Sequence, residues 1–121
     1  MNILVTGGTS GIGFELAQLL AKQGKVVVIV GLRPETTQIA LKTLKEIDSR
    51  SQGYSLDLAL VPSAAKLAEL FQKDIGEIDI LINNAGYATY ETFEQNSVDE
   101  VDRLIQANLC SHVRVTKAFL P

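Results

Sequence analysis

The chain has 121 residues, a formal net charge of −3 and 46% hydrophobic residues, enough for one globular domain that buries roughly two-thirds of its unfolded surface. An acidic balance with no basic cluster argues against a nucleic-acid partner, and no apolar run is long enough to span a bilayer. A lone Cys110 permits no internal disulfide and no leader-like segment precedes the first apolar residues, so a cytoplasmic location without a membrane partner is the expectation.

In chain order, Ile3-Leu4-Val5 is a short strand-like run that enters the glycine-rich stretch Thr6 to Gly13. Ile12, Leu16, Leu19 and Leu20 then recur at helical spacing and predict an inward stripe on a helix ending near Gln23, with Gly24 as its stop. Val26 to Val30 is a continuous β-branched run, as expected of a strand covered on both faces. Pro34 opens a second helix with Ala40, Leu44 and Ile47 inward. Gln52 to Asp57 predicts a third strand. A helix from about Pro62 turns Leu67, Leu70, Phe71 and Ile75 inward and closes at Gly76. Ile78 to Ile82 predicts a fourth strand, running into Asn83-Asn84-Ala85-Gly86. A loop from Tyr87 to Gln95 ends at a cap, Asn96 or Ser97, and the last helix is expected to bury Val98, Val101, Ile105, Leu109 and Val113. Strands alternating with helices predict an α/β fold, one domain over residues 1–121 whose parallel sheet is doubly wound in the order 3-2-1-4, with helices on both faces.

Several of these junctions carry chemistry. A strand, a glycine-rich turn and a helix start form an anion site, because the first N–H groups of a helix have no partner inside it and the dipole favours negative charge there. Gly7, Gly11 and Gly13 permit a sharp turn, approach of a pyrophosphate to the backbone, and close packing of helix on strand. Leu16 occupies the third glycine position of the G-x-G-x-x-G pattern, so the stretch is the longer T-G-x-x-x-G-x-G form. Twenty residues after Gly13 comes Arg33, where dinucleotide folds that take NAD carry an acid. A guanidinium without that acid favours NADP over NAD; the alternative is a solvated loop arginine. Asp57 at a strand end reads either as a ligand-facing group or as a turn former. Asn108 falls on or beside the last apolar stripe, where its amide must find a partner, as a helix kink or a core hydrogen bond. His112 reads as a packed or surface residue rather than a base, Cys110 as inert, and Asp99, Glu100 and Asp102 as complements to a helix dipole.

Thr6 to Gly13 together with Asn83-Asn84-Ala85-Gly86 resembles the short-chain dehydrogenase/reductases, in a Rossmann-like fold and over essentially the whole chain. The resemblance implies a cofactor site made of Thr6, Gly7, Thr9, Ser10, Gly11, Ile12, Gly13, Arg33, Asp57, Leu58, Asn84, Ala85 and Gly86. Asp57 and the Leu58 backbone would face the adenine, and Asn83 to Gly86 would both stabilise the sheet and flank the cofactor. Asn108 is similar to the family's helix asparagine, which holds a water in the proton relay behind an active-site lysine, and is therefore the one catalytic assignment. No metal is implied. The implied reaction is hydride transfer between NADP(H), or alternatively NAD(H), and a small carbonyl or alcohol substrate. Family members use a serine and a Tyr-x-x-x-Lys pair for it, whereas Tyr54, Tyr87 and Tyr90 are followed four residues later by Leu58, Glu91 and Glu94. The expectation is thus the cofactor-binding half of such an enzyme, truncated after the fourth helix and inactive alone. The alternative is a non-catalytic dinucleotide-binding or interaction module. Members also pair through their last helix here, which implies a homo-oligomer.

Overall fold

The structure, a computed structural model, describes residues 1–121. Its strands are β1 (Asn2–Thr6), β2 (Val26–Gly31), β3 (Gln52–Ser55) and β4 (Ile80–Ile82), all parallel and ordered β3-β2-β1-β4 as the sequence predicts. The helices are α1 (Gly11–Lys22), α2 (Pro34–Ile47), α3 (Ser63–Asp74), α4 (Val98–Ile105) and α5 (Ser111–Phe119). A π-helical turn, Gln106–Cys110, joins the last two.

The alternation of side chains along a strand divides the core in two. Ile3, Val5, Val27 and Ile29 point to the layer of α1 and α2, where they meet Ala17, Ala21, Ala40 and Leu44. Leu4, Val28 and Val30 point to the opposite layer and meet Ala64, Leu67, Phe71 and Val115 of α3 and α5. Both central strands are therefore covered on two sides, which is why each reads as an uninterrupted apolar run. Phe71 and Phe119 close the second layer edge to face, with ring centroids 5.4 Å apart.

The helix boundaries follow from local chemistry. Pro34 occupies the first turn of α2, where its missing N–H costs nothing. Gly24 ends α1 by donating its N–H to Ala21 O at 2.9 Å. Ser97, the second of the two expected caps, accepts the Glu100 N–H at 3.1 Å. Beyond α2, Arg50 donates to Asp48 at 2.6 Å and to the Gly24 carbonyl at 3.0 Å, tying the two helix ends together. That hydrogen bond holds the Asp48 carboxyl low, at about 2.

Two predicted strands are shorter than expected. β3 stops at Ser55, after which the Leu56 N–H still reaches Gly31 O at 2.9 Å. β4 keeps only Ile80–Ile82, although the Asp79 N–H extends the ladder to Asn2 O.

The larger corrections concern which faces are buried. On α1 the inward residues are Gly13, Ala17 and Ala21, while Ile12 is 83% exposed and Leu19 also faces outward. Small residues let α1 lie close against β1 and β2, and the larger side chains are pushed to its flanks. On the last helices, Val98, Ile105, Leu109 and Val113 are exposed. Ser111 and Val115 are buried instead, with Ala118 and Phe119 packed beside them. The π-turn contributes to the difference, because one added residue rotates the following side chains by roughly 100° relative to a regular helix.

Candidate functional site

All four strands end at one edge of the sheet, and the segments that follow them enclose a cleft of about 560 Å³. In a doubly wound sheet this carboxyl edge, beside the strand order reversal at β1, is where ligands bind. Gly7, Thr9 and Ser10 supply one wall, Gly31, Leu32 and Arg33 the next, Asp57 and Leu58 the third, and Asn84, Ala85 and Gly86 the last.

The first wall is built around two glycine requirements. Gly11 has φ +53° with open space around its missing side chain, so its need is purely conformational. Gly13 is the reverse case: a Cβ there would run into the Gly7 carbonyl and the Asn84 side chain. Ser10 is extended and leaves the start of α1 without a side-chain cap, and no acid sits in the first turn. The opening N–H groups of α1 are thus available to an anion.

Thr6 organises the joint beneath that wall. It is fully buried and does not line the cleft. Its Oγ1 accepts the Asn84 N–H at 3.0 Å and the Ala85 N–H at 3.1 Å. Asn84 returns the link by donating Nδ2 to Gly7 O at 3.1 Å. Asn83 donates to Thr116 Oγ1 at 2.9 Å and so fastens the same segment to α5. The amide pair after β4 therefore couples the sheet to both cleft walls.

At the end of β2, Arg33 lines the cleft with no carboxylate paired to it, and Gly31, two residues before it, is packed against Thr9 and Thr37. Asp57 forms a turn and borders the cleft. One oxygen accepts the Ala59 N–H at 3.0 Å, a turn-forming bond, and the other takes the Arg103 guanidinium at 3.3 Å while the residue lines the cleft. This electrostatic pattern fits a phosphate-bearing dinucleotide: free backbone donors, an unpaired guanidinium, and glycines where a side chain would fill the cradle.

The model of the short chain dehydrogenase family matches residues 1–121. The chain belongs to that family. A relative, the 3-oxoacyl-acyl-carrier-protein reductase FabG of Chlamydia trachomatis, is 34% identical over 118 residues, which cover 97% of this chain and 48% of that protein. The L-sorbose reductase of Gluconobacter frateurii, solved with NADPH and L-sorbose, superposes with a TM-score of 0.90 at 26% identity, over 98% of this chain and 45% of that one. An NAD⁺-bound xylitol dehydrogenase gives 0.89 at 26% identity, over 98% and 46%. The chain thus spans about half the length of the relatives it matches, and the two solved structures hold NADPH and NAD⁺ respectively.

Against this dehydrogenase frame, the predicted set divides. Gly7, Thr9, Ser10, Arg33, Asp57, Leu58, Asn84, Ala85 and Gly86 come together around the cleft. Gly11, Ile12 and Gly13 stand at the start of α1 outside its lining, as Thr6 lies below it. Asn108 is exposed rather than buried and also lies outside the lining, but its amide is fully engaged. It donates to Tyr87 O at 2.8 Å and Leu104 O at 2.9 Å, and accepts the Tyr87 N–H at 3.0 Å. It sits within the π-turn.

Gly31, Tyr87, Glu100 and Arg103 also line the cleft and carried no signal by themselves. Glu100 reads as a simple dipole partner, and Arg103 is identifiable only once β3 and α4 are seen to converge. Tyr54 lies apart from the cleft: burial first, then its hydrogen bond to Asp74 at 2.7 Å, push its phenol above the ordinary range. No helix is long and apolar enough to cross a membrane.

Proposed function

We propose that residues 1–121 form the dinucleotide-binding half of a cytoplasmic, NADP(H)-dependent oxidoreductase acting on a small carbonyl or alcohol. The observation that carries this reading is the end of β2, where Arg33 stands unpaired beside the cleft and no acid takes its place. The first N–H groups of α1, with Thr9 and Ser10, would hold the pyrophosphate, Arg33 the 2′-phosphate, and Asp57 with Leu58 the adenine. When bound, the nicotinamide supplies or accepts the hydride. The chain's own part is to orient the dinucleotide along the sheet edge, with Asn108 holding the Tyr87 backbone beside it and, by family resemblance, ordering the relay water.

Fluorescence titration with NADPH and NADH tests the reading. Arg33→Ala is expected to weaken NADPH roughly tenfold, the worth of one charge-assisted hydrogen bond, and to leave NADH within a factor of about two. Equal losses for both cofactors, or no saturable signal from the unmutated chain, would sink it. Since none of the three tyrosines has a lysine four residues on, residues 1–121 alone are expected to bind without turnover.

The exposed row Val98, Ile105, Leu109 and Val113 supports self-association through α4 and α5. Sedimentation of the full protein should show an oligomer that the double change Leu109→Glu, Val113→Glu converts to monomer. An unchanged mass in the variant would remove that surface from consideration.

A further inference from the structure

The π-turn and the first turn of α5 present two side chains, four residues apart, to the same loop. Asn108 grips Tyr87 through both its N–H and its carbonyl, at 3.0 and 2.8 Å. One turn on, His112 Nε2 meets the Ala85 carbonyl at 2.6 Å. Between them Gly86 is pressed so closely to the helix that a Cβ would collide with Asn108 Oδ1. Ala85 is held from its other end as well, because its N–H goes to Thr6 Oγ1 at 3.1 Å. Ala85, Gly86 and Tyr87 all line the cleft, whereas His112 does not.

A carbonyl oxygen can only accept, so Nε2 must carry the proton. The loop thereby selects one imidazole tautomer, and the imidazole in turn fixes where the loop stands. We infer that His112 is a positioning residue, which with Asn108 latches Ala85–Tyr87 as a preset wall of the ligand cleft. Nothing in the reading of the sequence marked His112 for this, since its role depends on a carbonyl 27 residues away. The inference rests on the dinucleotide reading of the cleft only for the identity of the ligand. A latched wall needs no ordering when ligand binds, which is how a residue outside the site raises affinity.

The test uses the full chain and three readouts. It has one histidine, so ¹⁵N-edited imidazole spectra report His112 alone, and the Nε2–H tautomer is expected. His112→Leu removes the donor and should weaken NADPH binding roughly 3- to 10-fold, the effect of one lost hydrogen bond, with faster amide exchange at Tyr87. His112→Gln keeps a donor at similar reach and should restore affinity to within about twofold. A residue with only a structural role would lower the melting temperature of the leucine variant and leave the affinity of its folded fraction unchanged. The Nδ1–H tautomer, or equal NADPH affinity in the leucine and wild-type chains, overturns the latch. If the leucine variant does not fold, the tautomer and the glutamine variant's affinity decide the matter. If the wild-type chain shows no dinucleotide binding, the cleft reading fails, and the latch stands or falls on the tautomer and Tyr87 exchange.

Discussion

Alanine at position 13 is expected to lower stability by about 1–3 kcal/mol and to weaken dinucleotide binding by roughly tenfold or more. The added methyl would occupy the space now taken by the Gly7 carbonyl and the Asn84 amide, two groups bonded to each other at 3.1 Å. Neither can step aside cheaply. Gly7 is itself in the left-handed region at φ +66°, with its own missing Cβ only 2.8 Å from the Ala85 Cα. Three backbone segments therefore meet with no room for a side chain, and relief must come from spreading the first loop away from the segment after β4. Those two segments are adjoining walls of the cleft, so stability and affinity should fall together. Gly11→Ala is the control. Its new Cβ meets nothing within 4 Å, and only the positive φ is penalised, at about 1–2 kcal/mol. Calorimetry and NADPH titration on both variants would separate the effects. If Gly11→Ala proves the more damaging to binding, close approach at Gly13 is not what the motif protects.

That contrast also indicates what a sequence can reveal. The glycine spacing was legible because backbone geometry of this kind tolerates few other residues, and the strand order followed from alternation and right-handed crossovers. Asn83 to Gly86 could be placed because it sits directly past a strand. Helix faces were harder. Periodicity weights large apolar side chains, yet the buried positions are Gly13, Ala17 and Ala21 on α1 and Ser111 and Val115 on α5. A small residue facing a strand is invisible to a count of leucines and isoleucines, and the π-turn changes the helical phase within a run that looks regular. Arg103 and His112 were illegible for a different reason. Each acts on a partner 46 or 27 residues distant, Asp57 and Ala85, and only the fold brings those pairs within reach.

Thr6→Val should cost about 2–4 kcal/mol, although the two side chains have nearly the same shape. Thr6 is completely buried, and its Oγ1 is the shared acceptor for the N–H groups of Asn84 and Ala85 at 3.0 and 3.1 Å. Valine offers no lone pair, so both donors lose their partner in a site with little access to water, and each unsatisfied group costs about 1–3 kcal/mol. Thr6→Ser separates the hydroxyl from the methyl. It keeps the acceptor and gives up one methyl group, which is worth about 1 kcal/mol. Urea unfolding should therefore rank wild type above serine above valine, with midpoints that move while the slope stays constant. The order of the two variants is the decisive quantity. A valine chain as stable as the serine chain would mean that packing, not the hydroxyl, holds β1 to the segment after β4. The expected order would instead make one buried oxygen the hinge pin of the cleft. Binding should then report it too: with Asn84 and Ala85 released from Thr6, the Asn84 amide loses its fixed aim at Gly7, and NADPH affinity should fall in valine while remaining near wild type in serine.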